Sequence, residues 1–447
     1  MLDVRGKRVV VVGLGKSGVA AARLLCARGA EVVANDGKSR EALGAVVAEL
    51  EGAGIRVVAG GHAAAEMDRA DLVVVSPGVP PLPEIAAAER AGVRVIGEVE
   101  AAVRCLTHPA PIVAVGGTNG KSTVTTLLGD VLGRFAPRVF VGGNLGEPLA
   151  AHADERFDFV VLEVSSFQME RVETFHPRAS ILLNVTPDHL DRYPDMAAYA
   201  HAKGNAFARQ TAEDLAVVPA GDDVCVGQAR RGGGRLVTFG ADGDARVSAD
   251  AITFRGEVYP RKDILLQGGH NAQNVAAVIA VARDLGVPEG TVRAALAEFR
   301  GLGHRMAFVV DVGGVRFYDD SKGTNVGAAV TALLGLPEPK VVLVAGGRDK
   351  GGSYEPLADA LAQKGRAAVL IGEAAEAIAS AVGSSVPVVR AASMDEAVRR
   401  AHALAAPGDA VLLSPACSSF DMFRDYAHRG DEFARAARSL ATEATPR

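Results

Sequence analysis

Short, continuous apolar runs recur along the chain, each ending in glycines or polar residues and followed by a stretch of helical period. Residues 7–15, KRVVVVGLG, read as a strand buried on both faces, because the run does not alternate with polar residues. The run leads into Gly13-Leu14-Gly15-Lys16-Ser17-Gly18 and then a helical pattern through Ala27. Further strands are predicted over 31–34, 71–75 and 93–96, before Thr107-His108-Pro109-Ala110-Pro111 breaks the alternation as a linker. A second series opens with a strand at 112–115, a glycine loop and a helix from Val124. It continues with a run ending at Glu163 and another ending near Val185, whose following loop carries Asp188, His189 and Asp191. Residues 195–210 predict a helix with Tyr199 and Lys203 on one face at i, i+4. Residues 215–264 predict a small antiparallel patch, and Gly268 opens an alanine-rich helix to Asp284. Asn271 and Asn274 near its start suit a capping role as well as a site. A third series begins near Phe299 and alternates five strands with helices.

This alternation predicts an α/β protein of three domains. They are a Rossmann-like domain at 1–107, a central P-loop ATPase-like domain with a mostly parallel sheet at 108–300, and a Rossmann-like domain at 301–447. Composition narrows the class. The chain has 447 residues, 23% charged, with a net charge of −5 and both signs interspersed, so no basic patch points to nucleic acid. No segment has the ~18 uncharged apolar residues of a membrane span, and the start of the chain carries no signal-peptide pattern. Four scattered cysteines without metal-type spacing fit reduced thiols in a cytoplasm.

The glycine loops carry the candidate chemistry. In Gly116-Gly117-Thr118-Asn119-Gly120-Lys121-Ser122-Thr123, successive backbone N–H groups, a helix N-terminus and the Lys121 cation would cradle phosphates, with Ser122 or Thr123 offering a hydroxyl to Mg²⁺. The loop is one residue shorter than the usual P-loop, since Val115 stands where that motif has its first glycine. Glu163, at a strand end, suits a Mg²⁺ ligand. His189 alone would be a hydrogen-bonded loop histidine, but the carboxyl ends of parallel strands share an edge, so Lys121, Glu163 and His189 are expected to converge. GxGxxG at residues 13–18 with Asp36 eighteen residues later matches a dinucleotide fingerprint, compatible with NAD or with any nucleoside diphosphate. The third series loads its loops with His304-Arg305, Asp319-Asp320-Ser321-Lys322-Gly323-Thr324, Arg348-Asp349-Lys350 and Ser414–Ser419.

Taken in order, GTNGKST, VSSFQ, NVTPDHLDRY, HNAQN, GHR and DDSKGTN resemble the Mur ligases, ATP-dependent enzymes of bacterial cell-wall precursor synthesis, over nearly the whole chain. GLGKSG, DSKGTN and SPACSSFD resemble the D-glutamate-adding branch in particular. The resemblance implies that ATP and UDP-N-acetylmuramoyl-L-alanine react with D-glutamate through an acyl phosphate, in a cytoplasmic, monomeric enzyme that enters no membrane. Gly15, Lys16, Ser17, Asp36, Ser76 and Asn144 match contacts to the UDP-sugar. Gly116, Thr118, Asn119, Gly120, Lys121, Ser122, Thr123, Asn271, Arg305 and Asp320 match contacts to ATP. Thr324, Lys350, Ser419, Phe420 and Tyr426 match the D-glutamate pocket, and His304 stands beside them. Two Mg²⁺ ions are implied, with Ser122, Glu163, His189 and Lys203 as ligands and Lys203 carried as N6-carboxylysine.

Overall fold

The computed structural model describes residues 2–190, 192–266 and 268–443; Asp191 lies outside them. Three sheets follow one another along the chain. The first holds β1 (Arg8–Val12), β2 (Glu31–Asp36), β3 (Arg56–Ala59), β4 (Leu72–Val75) and β5 (Arg94–Gly97), all parallel, in the order β3-β2-β1-β4-β5. Val9 and Val11 pack into one core and Val10 and Val12 into another, so the four valines are buried on both faces. The continuous run in the sequence records this double burial. Helix α1 (Lys16–Ala27) follows β1, and α2 (Glu98–Arg104) follows β5.

The second sheet contains β6 (Ile112–Gly116), β7 (Val139–Gly143), β8 (Phe159–Glu163), β9 (Ala179–Leu182), β10 (Leu215–Pro219), β11 (Arg235–Gly240), β12 (Ala245–Val247), β13 (Ala251–Phe254) and β14 (Glu257–Pro260). Their order is β14-β13-β12-β11-β10-β9-β6-β8-β7. Helix α3 (Lys121–Gly133) follows β6, α4 (Met196–Gly204) follows β9, and α5 (Gly269–Asp284) follows β14. Only β12 to β14 pair antiparallel, so the expected patch is smaller than 215–264: β10 and β11 extend the parallel sheet. A helix over Asp223–Ala229 separates them and serves as the crossover that parallel pairing needs. Helix α4 is also shorter than expected, because three-residue turns replace helical bonds after Gly204. Strand β3 was not anticipated, being four residues long at a sheet edge.

The third sheet has six strands rather than five, in the order β15-β16-β20-β17-β18-β19. They are β15 (Ala307–Val312), β16 (Val315–Asp319), β17 (Val341–Gly346), β18 (Gly365–Ile371), β19 (Val388–Arg390) and β20 (Ala410–Leu413). The extra member is β15, which forms an antiparallel hairpin with β16. Helix α6 (Val326–Gly335) follows β16, and α7 (Tyr426–Glu443) ends the described chain.

Contacts gather these sheets into two compact units, Met1–Val185 with Ala197–Phe299, and Thr186–Met196 with Arg300–Arg447. The first two sheets share a unit because they share a core: Ile96 and Val99 cluster with Ile112, Ala114, Leu162 and Phe175. Polar latches reinforce it. Thr107, in the expected linker, is pinned by its N–H to Ala153 O at 2.9 Å and its hydroxyl to Asp154 at 2.6 Å. Glu100 of α2 accepts from Glu173 N, Thr174 N and Thr174 Oγ1. Glu98, only 3% exposed, accepts from Gln168 Nε2 at 2.9 Å, and burial pushes its carboxyl up to about 7.

A carboxyl raised on folding favours the protonated native state. The stability it contributes is complete below its unfolded range and is lost as pH rises through about 7. Glu98→Gln keeps the acceptor for Gln168 without the charge. It is expected to raise the melting temperature at about pH 8 and to change it little at about pH 4. Equal gains at both pH values, measured by thermal unfolding, would contradict the assignment.

Candidate active site

The loop between β6 and α3 is held from three sides. Thr118 N donates to Asn184 O at 3.0 Å. The Asn184 side chain accepts from Asn119 N at 2.8 Å and donates to Asn119 O at 3.1 Å. Lys121 Nζ donates to Thr118 O and Lys203 Nζ to Gly117 O, each at 2.8 Å, so two ammonium groups sit on consecutive carbonyls of one loop. Gly120 has φ +87°, and a Cβ there would lie 2.6 Å from Asn274 Oδ1, so glycine is required by conformation and by space. Asn274 therefore packs on the loop. Neither Asn271 nor Asn274 caps α5, whose N-cap is Gly268 without a side-chain bond. Ser122 and Thr123 are buried in the first turn of α3.

Glu163 closes β8 opposite Val115 in the register, immediately before the loop, and is 3% exposed. Asn144 Nδ2 donates to Glu163 Oε1 at 2.7 Å, which ties an expected substrate contact to an expected metal ligand. Lys203 is 5% exposed, and its ammonium lies 4.4 Å from the Tyr199 ring centroid, as the i, i+4 spacing foretold. Tyr199 OH is 3.2 Å from Thr118 Oγ1.

In the N-terminal sheet, Asp36 and Ser76 act as braces. Asp36 accepts from Leu14 N at 2.7 Å and Lys38 N at 2.8 Å, and Ser76 Oγ donates to Gly13 O at 2.8 Å. Gly15 and Lys16 stand exposed at the start of α1, Ser17 is half-buried, and Lys16 pairs with Glu147 at 3.7 Å.

His189 belongs to the other unit, in the excursion Thr186–Met196, so the expected meeting with Lys121 and Glu163 is not part of one compact unit. The strand edge that suggested it ends at Leu182, and the chain leaves that unit three residues later. Within the C-terminal unit, Asp188 pairs with Lys350 Nζ at 3.5 Å and lies 3.7 Å from His189 Nε2. His189 and His304 both hold left-handed backbone, at φ +57° and +60°, a strain common where side chains are aimed for function. His304 Nδ1 is 2.6 Å from Asp319 Oδ2, and its ring stands edge-on to Tyr426. Burial pushes the Asp320 carboxyl up to about 7, while Ser414 Oγ, at 2.7 Å, and the Arg305 charge pull it back. Thr324 is half-buried in the turn before α6, Ser419 is buried, and Phe420 is 67% exposed.

Two functional positions carried no role in the sequence. Asn184 lay within NVTPDHLDRY without one. Arg429, in α7, is 0% exposed and donates to Ser321 Oγ, Ser321 O and Cys417 O, joining the loops after β16 and β20. Burial lowers its guanidinium to about 10. Its only sequence signal was a charge on the otherwise apolar face of an amphipathic helix. Among the described residues no group of three or more His, Cys, Asp or Glu is placed to hold a metal ion, and no helix is long and apolar enough to cross a membrane.

Family models match three consecutive stretches: a MurD-like N-terminal domain of Mur ligases over 7–97, the Mur ligase middle domain over 115–282, and the Mur ligase glutamate ligase domain over 304–417. The chain belongs to the Mur ligase family. Its full-length relatives include proteins named UDP-N-acetylmuramoylalanine–D-glutamate ligase. That of Syntrophotalea carbinolica is 45% identical over 98% of this chain and 99% of its own. That of Desulfosudis oleivorans is 45% identical over 98% of each. The fold is also that of MurF ligase from Thermotoga maritima in complex with ADP, at TM-score 0.62 and 16% identity over 99% of this chain and 97% of that one.

Asn184→Ala removes both side-chain bonds to Asn119 and is expected to weaken ATP binding about tenfold with little loss of thermal stability. Unchanged affinity by titration calorimetry would show that the loop keeps its shape without the clasp.

Proposed function

We propose that this chain is the ATP-dependent ligase that adds D-glutamate to UDP-N-acetylmuramoyl-L-alanine in peptidoglycan precursor synthesis. The observation that carries this reading is the whole-length match to relatives named for that reaction. The L-alanyl carboxylate attacks the γ-phosphorus of ATP and expels ADP, leaving an acyl phosphate. The free amine of D-glutamate then adds to the acyl carbon. The tetrahedral intermediate collapses with loss of phosphate, which takes one former carboxylate oxygen with it, and the nitrogen sheds a proton.

Gly116, Thr118, Asn119, Gly120, Lys121, Ser122 and Thr123 bind the phosphates of ATP, the backbone N–H groups at the start of α3 and the Lys121 ammonium countering charge that shifts between oxygens. Two anions must approach in the first step, so this is where the barrier is electrostatic. Asn271, Arg305 and Asp320 complete the ATP contacts. Gly15, Lys16, Ser17, Asp36, Ser76 and Asn144 serve the UDP-sugar, with Asp36 and Ser76 acting through the shape of the glycine turn. Lys350 and Thr324 bind D-glutamate carboxylates, with Ser419, Phe420 and Tyr426 lining that pocket and His304 orienting it. The domains are 1–107, 108–300 and 301–447.

The donor chemistry fits Mg²⁺. The Ser122 hydroxyl and the buried Glu163 carboxylate are hard oxygen donors at one end of adjacent strands. His189 and Lys203 are the residues assigned to a second ion. An ammonium at Lys203 would repel a cation, whereas N6-carboxylysine presents two anionic oxygens and keeps an N–H on Nζ for the Gly117 carbonyl. When bound, Mg²⁺ neutralises phosphate charge and polarises the phosphoryl oxygens.

Incubation with ATP, Mg²⁺, UDP-N-acetylmuramoyl-L-alanine and single amino acids tests the reading. Phosphate release and amide product are expected with D-glutamate and not with L-glutamate. The opposite preference would overturn it. In the same assay Lys203→Ala is expected to lose activity that short carboxylic acids partly restore, and wild-type rates would refute the carbamate.

A further inference from the structure

Asn35 and His62 form a polar pair that no role above uses. Asn35, the residue before Asp36 at the end of β2, is 0% exposed, yet every polar atom of its side chain is engaged. Its Nδ2 donates to Val58 O at 2.9 Å and Gly61 O at 2.8 Å. Carbonyl oxygens only accept, so the amide orientation is fixed and Oδ1 is the atom that faces His62 Nδ1 at 2.7 Å. An amide oxygen cannot donate, so Nδ1 carries a proton, and the tautomer this selects has its lone pair on Nε2.

That nitrogen lies across the loop after β2. A Cβ on Gly37 would stand 3.2 Å from Nε2, and glycine supplies none. Gly60 N donates to both Asp36 O, at 3.2 Å, and Lys38 O, at 2.8 Å, so the loop bearing the ring and the loop after Asp36 are tied together. The ring itself is half-buried. A fully buried asparagine thus spends its last acceptor on fixing the tautomer of a partly exposed imidazole, at the carboxyl edge of the sheet. Parallel α/β sheets bind nucleotides at that edge.

We propose that His62 is a specificity-determining residue for the nucleotide half of the UDP-sugar, accepting through Nε2 a hydrogen bond from a donor of the uridine, either its imide N–H or its ribose 2′-hydroxyl. This rests on reading the N-terminal domain as the UDP-sugar site. Cytosine has no imide N–H, so the first partner would also make the site reject cytidine nucleotides.

Titration calorimetry of the full chain with UDP, CDP and 2′-deoxy-UDP, on wild type and His62→Ala, tests the proposal. The variant is expected to bind UDP about tenfold more weakly while keeping the wild-type melting temperature and ATP affinity. If the imide is the partner, the wild-type preference for UDP over CDP collapses in the variant; if a hydroxyl, the preference over 2′-deoxy-UDP collapses. Unchanged UDP affinity in His62→Ala overturns the inference and leaves the UDP-sugar reading standing. A wild-type protein that binds no UDP overturns both.

Discussion

The clamp on the loop from Gly116 to Gly120 is the constraint from which the chemistry of the N-terminal unit follows. An anion cradle works only if several backbone N–H groups converge, and a free glycine-rich segment resists this at about 1–2 kcal/mol per ordered residue. Three residues offset that cost: Asn184 bonds the backbone N–H and C=O of Asn119 and takes Thr118 N on its own carbonyl, and Lys121 and Lys203 cover consecutive carbonyls. Gly120 then turns the chain into α3 through a backbone angle and a space that exclude a side chain. Lys121 stands at the start of α3, Asn184 just after β9, Lys203 in α4 and the Asn274 side chain that crowds Gly120 in α5, so the loop keeps its form only if these elements are in place.

The C-terminal unit solves a similar problem with a different residue. Its polar loops after β16 and β20 meet through Ala416 N on Gly323 O at 2.9 Å, and Arg429 joins them again from α7 while fully buried. A buried guanidinium costs several kcal/mol unless its donors are bonded, and here three of its nitrogens are. The same loops carry Asp319, Asp320 and Ser414. Burial among them pushes the Asp320 carboxyl up to about 7, against the pull of the Ser414 hydroxyl and the Arg305 charge, and Asp319 meets His304 beside it.

Much of this was legible in the chain because doubly buried parallel strands leave continuous apolar runs, and the residues at their ends carry the chemistry. The runs at β1, β6, β8 and β20 fell where expected, as did Glu163 at a strand end and the Lys203–Tyr199 face of α4. What escaped was set by tertiary context. Edge strand β3 is too short to show a pattern, and the β10–β11 crossover helix looked like a turn. Asn184 and Arg429 act through partners 65 and about 108 residues away, which no local pattern reports. The assignment of His189 to the C-terminal unit depends on an eleven-residue excursion, Thr186–Met196, that secondary-structure periodicity cannot register.

If the loop serves carboxylate activation, an oxygen of the substrate carboxylate ends on phosphorus. UDP-N-acetylmuramoyl-L-alanine labelled with oxygen-18 in its terminal carboxylate, turned over with ATP and D-glutamate, tests it directly by mass analysis of the released phosphate. An acyl phosphate requires one labelled oxygen in each phosphate formed. Phosphate without label, the displaced oxygen-18 appearing in water instead, would contradict the account.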